Sequence, residues 1–72
     1  MKFKPGDYMR HPSNPMNIAY KVTAIHKDGE EYELLYCSEG NLRYAYLSKT
    51  YIDEQSCYVL LSPIEKLLYA KF

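Results

Sequence analysis

IAYKVTAIHKDGEEYELLYC, residues 18–37, reads as one long β-hairpin. Its two arms are rich in β-branched and aromatic residues, and Asp28-Gly29 between them is a strong local turn signal. A three-residue loop Lys27-Asp28-Gly29, with Gly29 left-handed, pairs Ala24 with Tyr32, Val22 with Leu34 and Tyr20 with Tyr36. The opposite face then pairs Ile25 with Glu31, Thr23 with Glu33 and Lys21 with Leu35. That register separates an apolar face from a mostly polar one, as a half-buried antiparallel pair requires. A two-residue loop at 28–29 would set Val22 against Leu35 and Ala24 against Glu33, mixing the faces. A one-residue slip moves every side chain of one strand to the other face, so the first register is expected.

Seventy-two residues make one domain, and a chain of that size buries only about 60% of the surface its unfolded form exposes. That leaves no room for a large pocket in a separate catalytic core. The apolar runs fall far short of the ~20 residues that span a bilayer. MKFKPGD breaks into proline and glycine before a signal-peptide core could form, so the expected location is the cytoplasm. Cys37 and Cys57 sit in apolar, strand-like contexts and are expected to be reduced and largely buried. Nine basic and nine acidic residues cancel, but unevenly: residues 1–27 carry five Lys/Arg against Asp7 (+4), and residues 28–56 seven Asp/Glu against Arg43 and Lys49 (−5). Overall neutrality gives no electrostatic help to phosphate binding. Nine tyrosines without a tryptophan suit strands, barrel rims and interfaces, because tyrosine joins apolar area to a polar tip.

Along the chain, Pro5-Gly6 delivers a short strand over Asp7–Arg10. HPSNPMN, residues 11–17, cannot be a central strand, since proline removes a ladder donor and restricts its predecessor. It reads as an irregular excursion and a candidate binding loop. After the hairpin, Ser38-Glu39-Gly40-Asn41 is a second turn. Leu42 to Leu47 then alternates, with Leu42, Tyr44 and Tyr46 on one face and Arg43, Ala45 and Leu47 on the other. Ser48 to Ser56 is polar apart from Tyr51-Ile52, which anchor a short turn, and Asp53-Glu54 read as solvated. CYVLL, residues 57–61, reads as a final buried strand. Ser62, Pro63 and Glu65 form a capping-box signature for a helix over Pro63–Ala70. Its face of Ile64, Leu67 and Leu68 is expected to dock across the open end of its own barrel, so a monomer is favoured and a homodimer is the alternative.

FKPGDYMR, a loop, a long hairpin, a shorter strand and a closing YVLLSP resemble the SH3-like barrels, including KOW- and Tudor-type modules. More narrowly, Gly6, Tyr8 and His11, then Tyr20 and Val22, then Leu35-Tyr36 and Leu47 to Ile52 resemble a pattern in an uncharacterised family of short bacterial proteins. The resemblance covers roughly residues 5–54. The histidine stands one residue late, and that family's tryptophan-arginine-proline segment is absent. In style the chain also resembles small bacteriophage or mobile-element proteins. The resemblance implies a fold and no activity: a mainly β, five-stranded SH3-like barrel over about 5–62, with the helix at about 63–70, as one domain.

No catalytic residue, metal or cofactor is expected. His11, His26, Cys37 and Cys57 lack the close ligand pairs of structural zinc sites. A Cys-His nucleophile needs a cleft and an orienting third group, and the glycines are scattered among turns rather than gathered in a phosphate loop. His26 is expected beside Glu30 or Glu31. The leading expectation is a non-enzymatic protein-interaction module, a small regulator or inhibitor of a larger protein, with Tyr8, Arg10, His11, Met16, Arg43, Tyr44 and Leu67 as partner-binding candidates, Met9 and the tyrosines adding contact area. The alternative is a nucleic-acid-binding barrel in which Arg10, His11, Lys21, Arg43 and Tyr44 stack bases and meet phosphates.

Overall fold

A computed structural model describes residues 2–13 and 18–72. The chain is mainly β: five antiparallel strands form one open sheet in the order β4-β3-β2-β1-β5. The strands are β1 (Tyr8–Arg10), β2 (Tyr20–His26), β3 (Glu31–Ser38), β4 (Asn41–Ser48) and β5 (Val59–Leu60), followed by the helix α1 (Pro63–Tyr69). The strand order leaves β4 and β5 at the two ends of the sheet among the described residues, and no pairing between them closes it.

The central hairpin holds both registers considered above. At its base Tyr20 faces Tyr36, Lys21 faces Leu35 and Val22 faces Leu34; at its tip Ala24 faces Glu33, Ile25 faces Tyr32 and His26 faces Glu31. The shift falls between Val22 and Ala24, so Thr23 is an extra, bulged residue. Its hydroxyl lies 2.6 Å from Glu33 Oε2 and 3.2 Å from the Glu33 carbonyl, which fills the gap in the ladder. The expectation of Ala24 on the apolar face is therefore corrected at the tip. The bulge turns Ile25 to the same side as Val22, and Ile25 packs against the core. The loop is longer than three residues: Lys27, Asp28 and Gly29 all have positive φ (54°, 54° and 91°), and the Glu30 N–H closes it by donating to the Lys27 carbonyl at 3.1 Å. Gly29 is left-handed, as expected.

A second irregularity opposes the same strand. Val22 donates its N–H to Asp7 O and accepts at its carbonyl from Gly6 N–H, each at 2.8 Å. With Gly6 at φ 97°, Gly6 and Asp7 together face one residue of β2, and bulges of this kind bend and twist a strand. The turn between β3 and β4 follows the sequence reading, with Glu39 and Gly40 both left-handed (φ 53° and 80°), the geometry that matches strand twist in a two-residue hairpin.

The core comprises Phe3, Met9, Val22, Tyr32, Leu34, Ile52 and Tyr58, with Tyr20, Ile25, Ala45 and Leu47 packed against it. On β4 the alternation therefore points Ala45 and Leu47 inward and leaves Leu42, Tyr44 and Tyr46 more than half exposed. The connecting turn Tyr51–Gln55 is one wide helical turn, closed by the Ser56 N–H donating to the Tyr51 carbonyl at 2.8 Å. It plugs the core with Ile52, while Tyr51 stays outside. The region read as a buried final strand is not one: β5 has only Val59 and Leu60, both exposed, while Tyr58 and Leu61 on either side are buried. Both cysteines are free and exposed, against the expectation of burial.

Candidate functional site

Strand pairing sorts the predicted contact residues onto two faces. An inner row crosses all five strands as Leu60, Met9, Tyr20, Tyr36 and Arg43. An outer row crosses four as Tyr8, Lys21, Leu35 and Tyr44. Arg43 and Tyr44, adjacent in sequence and expected to act together, thus lie on opposite sides of the sheet.

The inner row continues into an aromatic chain. Tyr36 and Tyr20 rings lie 5.1 Å apart, Tyr20 meets Tyr58 edge-on at 5.7 Å, and Tyr58 meets His11 edge-on at 5.2 Å, all within the range of favourable aromatic pairs. Burial pushes the Tyr58 hydroxyl up to about 12, with Tyr20 and Tyr51 nearby adding to the shift. Tyr20 is raised for the same first cause, with Tyr36 second. His11 is positioned from its own loop: Ser13 Oγ lies 2.6 Å from Nδ1, and the Ser13 N–H donates to the same nitrogen at 3.3 Å.

On the outer side, Tyr8 and Arg10 are occupied by the C-terminal segment. The Ser62 hydroxyl accepts from the Glu65 N–H (3.2 Å), and Glu65 Oε1 accepts from the Ser62 N–H (2.9 Å), the reciprocal cap expected from the sequence. Glu65 Oε2 also lies 2.7 Å from Arg10 Nε, a charge contact without the alignment of a hydrogen bond. The Ser62 N–H and the Arg10 charge hold the Glu65 carboxyl below its ordinary range, against partial desolvation. At the other end the Tyr8 hydroxyl donates to the Phe72 carbonyl, their rings sit 6.1 Å apart, and Lys21 Nζ lies 5.6 Å from the Tyr8 ring centre. The helical segment is thus tied to β1 twice. Neither tie uses its apolar stripe: Ile64 is 66%, Leu67 83% and Leu68 55% exposed. Docking of that stripe on its own sheet, expected from the short link to Leu61, is overturned by this exposure.

Beside the helix, a groove of about 260 Å³ opens between Ile18 and Ala19 leading into β2, Cys37 on β3, and Leu68, Tyr69 and Phe72 of the C-terminal segment. Met16 lies outside the described residues. His26 meets Glu33 rather than Glu30 or Glu31, with Nε2 2.8 Å from Oε1. Glu33 is held below the ordinary carboxylate range first by the Thr23 hydroxyl and then by His26. Among the described residues no three His, Cys, Asp or Glu side chains cluster as a metal site, and no helix is long and apolar enough to cross a membrane.

Asp53, read from the sequence as a solvated turn residue, is instead a keystone. The buried Tyr32 hydroxyl donates to its Oδ1 at 2.7 Å and accepts from the Phe3 N–H at 3.2 Å, while Asp53 Oδ2 accepts from the Lys2 N–H. No local pattern announces this, because the partners are separated by 21 to 51 positions. No protein-family model, curated protein or solved structure matches the chain.

Proposed function

We propose that the chain is a non-enzymatic protein-interaction module, a small regulator or inhibitor of a larger protein, built on an SH3-like barrel. The observation that carries this reading is the helix stripe Ile64, Leu67 and Leu68, exposed on a helix already clamped to β1 by other side chains. A soluble chain gains nothing by leaving such a stripe in water, at ~25 cal/mol per Å² of apolar surface, unless it is covered elsewhere; apolar residues presented this way are the usual helix-face anchors of a partner. Support for the barrel comes from the strand order and from two bulges, one in β2 at Val22–Ala24 and one at Gly6-Asp7 opposite Val22, each of which bends its own strand. Of the predicted contacts, Leu67 belongs to this surface. Arg10 and Tyr8 serve it by positioning the helix.

The nucleic-acid reading keeps one supporting feature, the inner row in which Arg43 follows Tyr20 and Tyr36, a cation beside stackable rings. Arg10 is committed to Glu65, and Tyr44 is on the other face. Capture from native lysate separates the two readings. A protein retained by wild type after nuclease treatment, and lost with Leu67→Asp, is expected. Material lost on nuclease treatment, with retention that falls steeply with salt and flattens in Arg43→Ala, would replace the interaction reading.

A further inference from the structure

We propose that β4 is the seat of a symmetric dimer, in which a second copy of this chain lays its own β4 antiparallel alongside, centred on Ala45. This is independent of the helix surface.

The polarity of the β4 edge follows from one bond. The Lys49 N–H donates to the Glu30 carbonyl at 2.8 Å, in the same register that pairs Glu31 with Ser48 and Ser38 with Asn41. Hydrogen-bonded and non-hydrogen-bonded pairs alternate along an antiparallel ladder. Asn41, Arg43, Ala45 and Leu47 therefore turn their backbone groups toward β3. Leu42, Tyr44 and Tyr46 turn theirs outward, where no described strand pairs with them; Ser48 turns its N–H outward too, while its hydroxyl and carbonyl start the helical turn that follows. Sheet edges are ordinarily guarded by shortness, lysine, proline or bulges. The other edge, β5, is two residues long and stops at Ser62-Pro63. β4 has eight residues, an unbroken register, no proline and a single charge, Arg43.

The occupant that fits is the same strand. Two copies related by a two-fold keep matching faces only when residues of like parity meet. Centring on Arg43 opposes two guanidinium groups, which like-charge repulsion disfavours. Centring on Tyr44 or Tyr46 leaves one of the outward residues without a partner. Centring on Ala45 gives every outward residue a partner: Tyr44 meets Tyr46 of the second copy, Leu42 meets Ser48, and the reciprocal pairs follow. The two Tyr44–Tyr46 pairs each exchange two N–H···O bonds, and each Ser48 N–H is left to donate to the Leu42 carbonyl opposite. Arg43 then faces Leu47, so no charges of like sign are opposed. The balanced charge of the chain, nine of each sign, gives no long-range repulsion between copies. Four tyrosines, each a little over half exposed, are covered along one flank only, because their rings stand up from the face of the sheet. With Leu42 and the backbone strips, the interface stays below the ~1,000 Å² lower bound of stable specific complexes, so the dimer is a weak, dissociable one.

Sedimentation of the full chain across a concentration series up to ~1 mM tests this, with far-UV circular dichroism to verify folding. Wild type is expected to move from monomer to dimer. Tyr44→Lys with Tyr46→Lys opposes lysines twice across the two-fold and is expected to remain monomeric. Tyr44→Lys with Tyr46→Glu opposes lysine to glutamate twice and is expected to recover the dimer. A wild type that stays monomeric throughout overturns the proposal. So does a dimer that survives the double lysine change and is lost with Leu67→Asp, which would place association on the helix. Two folded monomers from the two double variants would overturn the Ala45-centred register.

Discussion

Ile25 near the hairpin tip and Leu67 on the helix face the same physical demand, an apolar side chain placed by local periodicity on a side that needs cover. They meet it differently. One extra residue at Thr23 moves Ile25 to the core side, at the cost of one irregular ladder step that the Thr23 hydroxyl and Glu33 fill. Leu67 has no such device. Its helix is held by Glu65 against Arg10 and by Phe72 against Tyr8, and turning the stripe inward would break both contacts together. A strand changes face by a single insertion because its period is two; a helix must rotate as a body. Faces of strands are therefore negotiable within the fold, and a clamped helix face is left for something outside it.

The largest expected effect probes the hairpin side of that contrast. Ile25→Asp should cost about 3 kcal/mol by placing a carboxylate against the core, while Ala24→Asp, on the opposite face, should cost under about 1 kcal/mol. Urea denaturation of both variants measures the difference. The reverse order would mean that the register at the base continues to the tip and no bulge exists.

Tyr32 comes next, because it is the core residue that Ile25 faces across the hairpin. Removing its hydroxyl in Tyr32→Phe leaves the buried Phe3 N–H without an acceptor and should cost about 2 kcal/mol. The pH dependence has a definite sign. Burial, reinforced by the Asp53 bond, raises the hydroxyl from 10.0 to about 12, so the folded state binds this proton more tightly than the unfolded one. The contribution is whole below pH 10 and is lost as pH rises from 10 through 12. Tyr58, also raised to about 12, acts in the same direction. Alkaline titration of stability should show a shallower decline in Tyr32→Phe than in wild type, with the Tyr58 part remaining. Equal slopes would remove Tyr32 from the account.

Gly29→Val tests the loop that lets the tip register close. An added Cβ meets no atom within 4 Å, so the cost is backbone strain at φ 91°, about 1 to 2 kcal/mol for a β-branched residue. A melting temperature lower by roughly 4 °C or more is expected, and an unchanged one would refute the left-handed turn.

The smallest effect sharpens the helix side. Leu67→Asp should change stability by less than about 0.5 kcal/mol, since Leu67 is 83% exposed. A loss of several kcal/mol on thermal melting would show that the stripe docks on its own sheet after all, and Ile25 and Leu67 would then be alike.

Local chemistry was enough to locate the elements. The capping box at Ser62-Pro63-Glu65, the turn at Glu39-Gly40, the left-handed Gly29 and the alternation that splits Leu42, Tyr44 and Tyr46 from Ala45 and Leu47 all depend on neighbours a few positions apart, and all stand in the structure. The base of the hairpin paired as its apolar pattern required. The candidate contact residues were less legible. Proximity in the sequence suggested that Arg43 and Tyr44 would act together and that Arg10 was free, yet pleating separates the first two and Glu65 holds the third.

What only the tertiary structure decided has a common cause. The Thr23 bulge, the Tyr32–Asp53–Phe3 link, the brevity of β5 with Cys57 outside, and the exposed helix stripe are each set by partners far along the chain. A pattern of hydrophobic residues states how much apolar surface a segment must hide. Where that surface goes is settled by competition among segments for one small core, and here Ile25 found room in it while Ile64, Leu67 and Leu68 did not.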